Sequence, residues 1–135
     1  MKHKTRDELE RPLGGRSLAE LIAKRAELYL IQTPQSYEVE FALIDHTTGD
    51  VAVWLEVICR PEIPQKKFPV DIELWMAGIR LAEETGKPFL LGYRWENRDY
   101  LLQVQSGSIP LVLIDTRNPE GSAFVRIPEE KFHLL

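Results

Sequence analysis

Cysteine is nearly absent. Cys59 stands alone in 135 residues, which excludes an intramolecular disulfide and a cysteine-rich zinc site. No apolar run approaches the roughly 20 residues needed to span a bilayer. The opening stretch, MKHKTRDELERPLGGRS, has no apolar segment behind its basic side chains, so it does not read as a secretory signal. A reducing, cytoplasmic setting is the default expectation. Net positive charge is missing too: 17 Lys and Arg face 21 Asp and Glu, a formal charge of -4. Wholesale electrostatic coating of nucleic acid is therefore not expected, although a local basic patch is compatible with that total. There is no repeat, no low-complexity tract, no P-loop, no Gly-x-Gly-x-x-Gly, no Gly-x-Ser-x-Gly and no His-x-x-x-His helix.

What remains is a chain that can build a core. Hydrophobic residues make up 44% and charged residues 28%, which fits one globular domain of this length and argues against disorder. Charge is uneven. Residues 1–25 carry seven basic side chains against four acids, a net +3, so the rest of the chain is at -7. Residues 1–16 read as a basic arm, either one that touches phosphate or an acidic partner or a solvated terminus. Residues 17–135 read as a single domain.

The periodicity predicts a helix from Ser17, with Ser17 and Glu20 forming a capping box. Leu18, Leu21, Ile22, Arg25, Ala26 and Tyr29 are expected to make its buried stripe, and Thr33-Pro34-Gln35-Ser36 to end it. Tyr37, Val39, Phe41 and Leu43 alternate with Glu38, Glu40 and Ala42 as in a half-buried strand ending at Asp45. After the turn at residues 46–50, VAVWLEVIC is a central strand buried on both faces. Residues 60–69 read as a loop. A second helix follows from an Asp71 cap to Thr85, closed by Gly86 and Pro88. Residues 89–95 and 100–104 read as paired strands, and residues 109–114 and 123–127 as further strands. The second helix is apolar nearly all round. Leu74 and Leu81, opposite Trp75 and Met76, predict either a cover of C-terminal strands or a contact with another copy.

Chemistry is concentrated at Asp45 and Glu56. Glu56 lies mid-strand between Leu55 and Val57, where a carboxylate needs a cation, a donor network or a proton. A hairpin would bring Asp45 toward it. Two oxygen ligands there suit Mg²⁺ or Mn²⁺. The competing reading is a salt bridge from Glu56 to Arg60, or an edge position facing solvent. Arg60 shares the parity of Glu56 and suits phosphate binding. Arg94, beside Trp95 at a strand end, is a second substrate-binding candidate. Glu20 and Glu27 lie off the apolar stripe and read as solvent-facing, and His46 reads as a turn residue.

The run strand–Asp45–turn–WLEVICR (Trp54–Arg60), then LWMAGIRLAEETGKPFLLGYRW (Leu74–Trp95) and DYLLQV (Asp99–Val104), resembles the PD-(D/E)XK nuclease superfamily, in its small phage-type members. The resemblance covers roughly residues 17–104, and its motif is short and degenerate. It implies an α/β, restriction-endonuclease-like fold: a mixed central sheet flanked by helices, here with an added C-terminal β segment. It implies metal-dependent hydrolysis of DNA, with Asp45 and Glu56 as metal ligands and catalytic acids. The family's lysine position is occupied by Ile58, and a second lysine position by Leu74. Lys66 and Lys67 are the candidates to restore the ammonium that orients the attacking water. The same departures predict a rival: a nuclease fold without activity, serving as an assembly, structural or nucleic-acid-binding subunit, for example of a phage particle.

Overall fold

The computed structural model describes residues 15–34, 39–61, 67–95, 97–104, 112–114 and 123–135. Helix α1 is Gly15–Ala26. Strands β1 (Tyr29–Gln32), β2 (Phe41–Ile44) and β3 (Val51–Arg60) follow, then β4 (Lys67–Asp71) and helix α2 (Ile72–Thr85). The chain continues through β5 (Phe89–Trp95), β6 (Arg98–Val104), β7 (Val112–Ile114) and β8 (Ala123–Pro128), a 3₁₀ turn at Glu129–Lys131, and β9 (His133–Leu134). The fold is mixed α/β, with a six-stranded sheet in the order β1-β2-β3-β5-β6-β9 and a three-stranded sheet in the order β4-β8-β7. All pairings are antiparallel except β3 with β5. A parallel pair needs a crossover, and β4 and α2 supply it.

The large sheet is covered on both faces. On one, Leu18, Ala19, Ile22 and Ala23 of α1 pack against Phe41, Leu43, Leu55 and Val57. Gly92 permits this approach, since a Cβ there would lie 2.7 Å from the Ile22 side chain. On the other face, α2 and the small sheet enclose Trp54, Phe89, Leu91 and Tyr93 with Phe68, Val70, Val125 and Phe132. Each fully buried side chain of this size contributes about 1.5–3 kcal/mol. β3 runs between β2 and β5 with Trp54, Leu55, Glu56 and Val57 all buried, as its near-continuous apolar sequence predicts.

Helix α2 follows its sequence signals closely. The Asp71 carboxylate accepts from the Glu73 amide at 2.8 Å, and Gly86 closes the helix in the left-handed region at φ 69. Gly78 lies against the Phe89 ring, 2.1 Å from where a Cβ would stand. Trp54 Nε1 donates to Thr85 Oγ1 at 2.9 Å, tying the helix end to β3. Leu74 and Leu81 are half-buried against the core, and α2 packs on β8. The expected cover of C-terminal strands is therefore present, and these leucines pack within the chain.

Several local expectations are corrected. Helix α1 begins at Gly15, so Ser17 lies inside its first turn. Arg16 Nε, not the Ser17 amide or hydroxyl, meets Glu20, at 3.2 Å. Glu27 adopts φ 56 and ends the helix, and Tyr29 opens β1 with an exposed ring instead of extending the buried stripe. Arg25 and Ala26 are exposed as well. The second half of the expected loop at residues 60–69 is a strand: β4 tolerates Pro69 because it is an edge strand paired only with β8. Of the basic arm, Gly15 and Arg16 form the start of α1, and residues 1–14 lie outside the described residues. No helix among the described residues is long and apolar enough to cross a membrane.

Candidate functional site

Glu56 sits where its sequence neighbours predict, in the middle of β3 and 6% exposed. The residue that meets it is Glu40. The β2–β3 register runs Phe41↔Leu55, Ala42↔Trp54 and Leu43↔Val53, so one further step places Glu40 opposite Glu56. The Glu40 amide donates to Glu56 Oε2 at 2.7 Å. Glu40 is itself 3% exposed, and these two are the buried charged residues among those described. The Thr33 amide and hydroxyl both donate to the Glu40 carbonyl, at 2.9 Å each, fastening β1 to this end of the hairpin.

Asp45 is at the other end. Its amide donates to the Asp50 carbonyl at 2.9 Å, and its carboxylate accepts from the Thr47 and Thr48 amides at 2.7 and 3.0 Å. These bonds, Thr48 first, hold its carboxyl below the ordinary range. Asp45 lies five positions beyond Glu40, roughly 16 Å at the rise of a β-strand. The hairpin therefore does not bring Asp45 to Glu56. Asp45 shapes the turn, and the partner acid is Glu40. The signal was present in the sequence: counting strand pairs back from the 46–50 turn leads from Glu56 to residue 40.

The other candidates are distributed as follows. Ile58 is half-buried and packs on the α2-side core, two residues beyond Glu56 on the same face. Arg60, two further, is exposed. The expected Arg60–Glu56 salt bridge is not among the ion pairs of the described residues. Tyr93 donates to the Pro69 carbonyl at 3.2 Å. Burial pushes its hydroxyl up to about 12, against the opposing effect of Arg60. Lys66 lies outside the described residues. Lys67 begins β4, opposite Pro128, and only its backbone is described.

Arg94 is not placed with the acids. Its strand neighbours Leu90 and Gly92 face α1, so alternation puts Arg94 on the sheet face opposite Glu56. There it grips Asp99 on β6 through two bonds, 2.6 Å from Nε and 3.1 Å from the terminal nitrogen. The Asp99 hydrogen bond raises the Arg94 pKa further. Glu20 and Glu27 are exposed, as their off-stripe positions predict. His46 is exposed and stacks against Tyr29 with ring centroids 3.8 Å apart. No group of three or more His, Cys, Asp or Glu side chains able to hold a metal occurs among the described residues. No protein-family model matches this chain, and no curated protein matches it significantly in sequence.

Proposed function

We propose that this chain is a divalent-metal-dependent nuclease domain of the restriction-endonuclease-like fold, acting on DNA, with Glu40 and Glu56 as its acid pair. The carrying observation is that a second buried acid meets Glu56 across the β2–β3 hairpin. The order of elements around that pair supports the same reading: a helix, three antiparallel strands, a crossover helix, then a strand parallel to the third. The register places the two buried acids opposite each other across the hairpin, where one dication would take an oxygen from each. The donor set is two hard oxygens, which fits Mg²⁺ or Mn²⁺ with water completing the shell. When bound, such an ion lowers the pKa of a coordinated water and offsets phosphate charge.

The protein's own part is positional. The Glu40 amide fixes one oxygen of Glu56, so the acid pair is preorganised. Arg60, on the Glu56 face and exposed, would take a phosphate oxygen. Lys66 or Lys67 would supply the ammonium that Ile58 does not.

One observation favours a second reading. Ile58 packs into the core at the position where the resemblance implies a lysine, and Leu74 does so at the other. A domain that binds nucleic acid or joins a larger assembly, such as a phage particle, without cutting would need neither ammonium. A single assay separates the two. Plasmid or oligonucleotide cleavage with Mg²⁺ or Mn²⁺ is compared for the wild type, Glu56→Ala and Ile58→Lys. Cleavage by the wild type that Glu56→Ala abolishes supports the nuclease. Cleavage acquired only with Ile58→Lys supports the non-cutting reading. Wild-type cleavage unaffected by Glu56→Ala removes the assigned site.

A further inference from the structure

The backbone that meets Glu56 is not held by the strand ladder. The β1–β2 register ends at Gln32↔Phe41, and Val39 and Glu40 lie just outside β2. Thr33, the residue after β1, takes over. Its amide and its hydroxyl both donate to the Glu40 carbonyl, each at 2.9 Å, and the hydroxyl also meets the Val39 carbonyl. The contact with Val39 reaches the acid pair. The Val39 carbonyl and the Glu40 amide belong to one planar trans peptide unit and point in opposite directions. The Thr33 hydroxyl holds the carbonyl side of that plane, and the amide side donates to Glu56 Oε2 at 2.7 Å. Rotation of the plane would break both bonds at once. Val39 and Glu40 are 0% and 3% exposed, so water does not compete for these groups, and each bond polarises the next. Thr33 has little freedom of its own, because Pro34 follows it and favours extended backbone.

We infer that Thr33 is a positioning residue of the acid pair: its hydroxyl orients the Val39–Glu40 peptide, whose N–H in turn fixes the Glu56 carboxylate. The inference deepens the nuclease reading and rests on it for the cation that the carboxylate would hold. Groups that orient a metal's ligands through hydrogen bonds set its affinity nearly as strongly as the ligands do. Thr33 would therefore tune the site without touching the ion.

The test compares the wild type, Thr33→Val and Thr33→Ser by two measurements. The first is Mn²⁺ affinity by isothermal titration calorimetry. Valine keeps the shape and deletes the hydroxyl, and is expected to weaken Mn²⁺ about tenfold. Serine keeps the hydroxyl and should bind as the wild type does. The second is hydrogen exchange of the Glu40 amide without metal. It should be about tenfold faster in Thr33→Val, the scale of one lost hydrogen bond, and unchanged in Thr33→Ser. The Trp54 amide, bonded to the Pro88 carbonyl at 2.9 Å, is the control and should keep its rate in every variant. Thermal melting confirms that each variant is folded. Wild-type Mn²⁺ affinity in Thr33→Val overturns the inference and leaves the cation site standing. Equal losses in Thr33→Val and Thr33→Ser, or faster exchange at Trp54 as well as Glu40, overturn it too, because the hydroxyl would then not be the agent. No Mn²⁺ binding by the wild type overturns the cation site. The exchange rate then still decides the orienting role, which an unaltered Glu40 amide in Thr33→Val overturns.

Discussion

Glu40 and Glu56 meet across the β2–β3 hairpin, the amide of one held 2.7 Å from a carboxylate oxygen of the other. Both side chains are buried. Replacing Glu40 by Gln keeps its size and its amide and removes one carboxylate from the pair. Adding Mn²⁺ should raise the melting temperature of the wild type and not of the variant, because only the wild type offers the ion both carboxylates.

The contact between Gly78 and Phe89 makes a sharper structural prediction. A Cβ at residue 78 would stand 2.1 Å from the ring. Gly78→Ala should therefore lower stability by about 1–3 kcal/mol by overpacking, despite alanine's better helix propensity. Equal or greater stability in a denaturant melt would mean that α2 moves off the sheet at little cost.

Stability should fall at high pH. Tyr93 has its hydroxyl pushed up from 10.0 to about 12 by burial, so the folded state retains a proton that the unfolded chain gives up. The contribution is complete below pH 10 and is lost as pH rises toward 12. The raised Tyr100 hydroxyl acts in the same direction. Tyr93→Phe should flatten the decline in this window. An unchanged slope would show that Tyr93 ionises equally in both states.

Arg94 and Asp99 join β5 to β6 by a two-bond ion pair with 22% and 16% side-chain exposure. Asp99→Asn should cost about 1–2 kcal/mol, less than a fully buried pair because solvent still reaches it. Arg94 lies on the face away from Glu56. Its replacement by Met is therefore expected to change stability and to leave DNA affinity as it was. A loss of affinity without a loss of stability would move Arg94 into the binding surface.

Much of this architecture is legible in the residues. Strong local signals located the elements they control: Asp71 and Gly86 bound α2, and the VAVWLEVIC run became the central strand. Glu56 was readable as a buried carboxylate because its neighbours leave it nowhere else to be. Its partner was less visible because register is a property of two strands. The β-bulge between Leu43 and Ile44 and the carboxylate's bonds to the turn amides give Asp45 a structural task that spacing alone does not reveal. β1 and β4 are hidden in the sequence for different reasons. The helical apolar pattern runs on to Tyr29, but Glu27 ends the helix before it with a positive φ. Pro69 reads as a loop residue unless its strand is known to lie at an edge. Arg94 is adjacent to Trp95 in sequence yet lies on the opposite sheet face, because neighbours in a strand alternate sides.

The acid pair as a cation site is tested most directly by isothermal titration calorimetry with Mn²⁺ on the wild type, Glu40→Gln and Glu56→Gln. The account predicts one saturable site in the wild type and its loss in either variant, each of which still melts cooperatively. Mn²⁺ binding that persists in both variants, or its absence from the folded wild type, would contradict it.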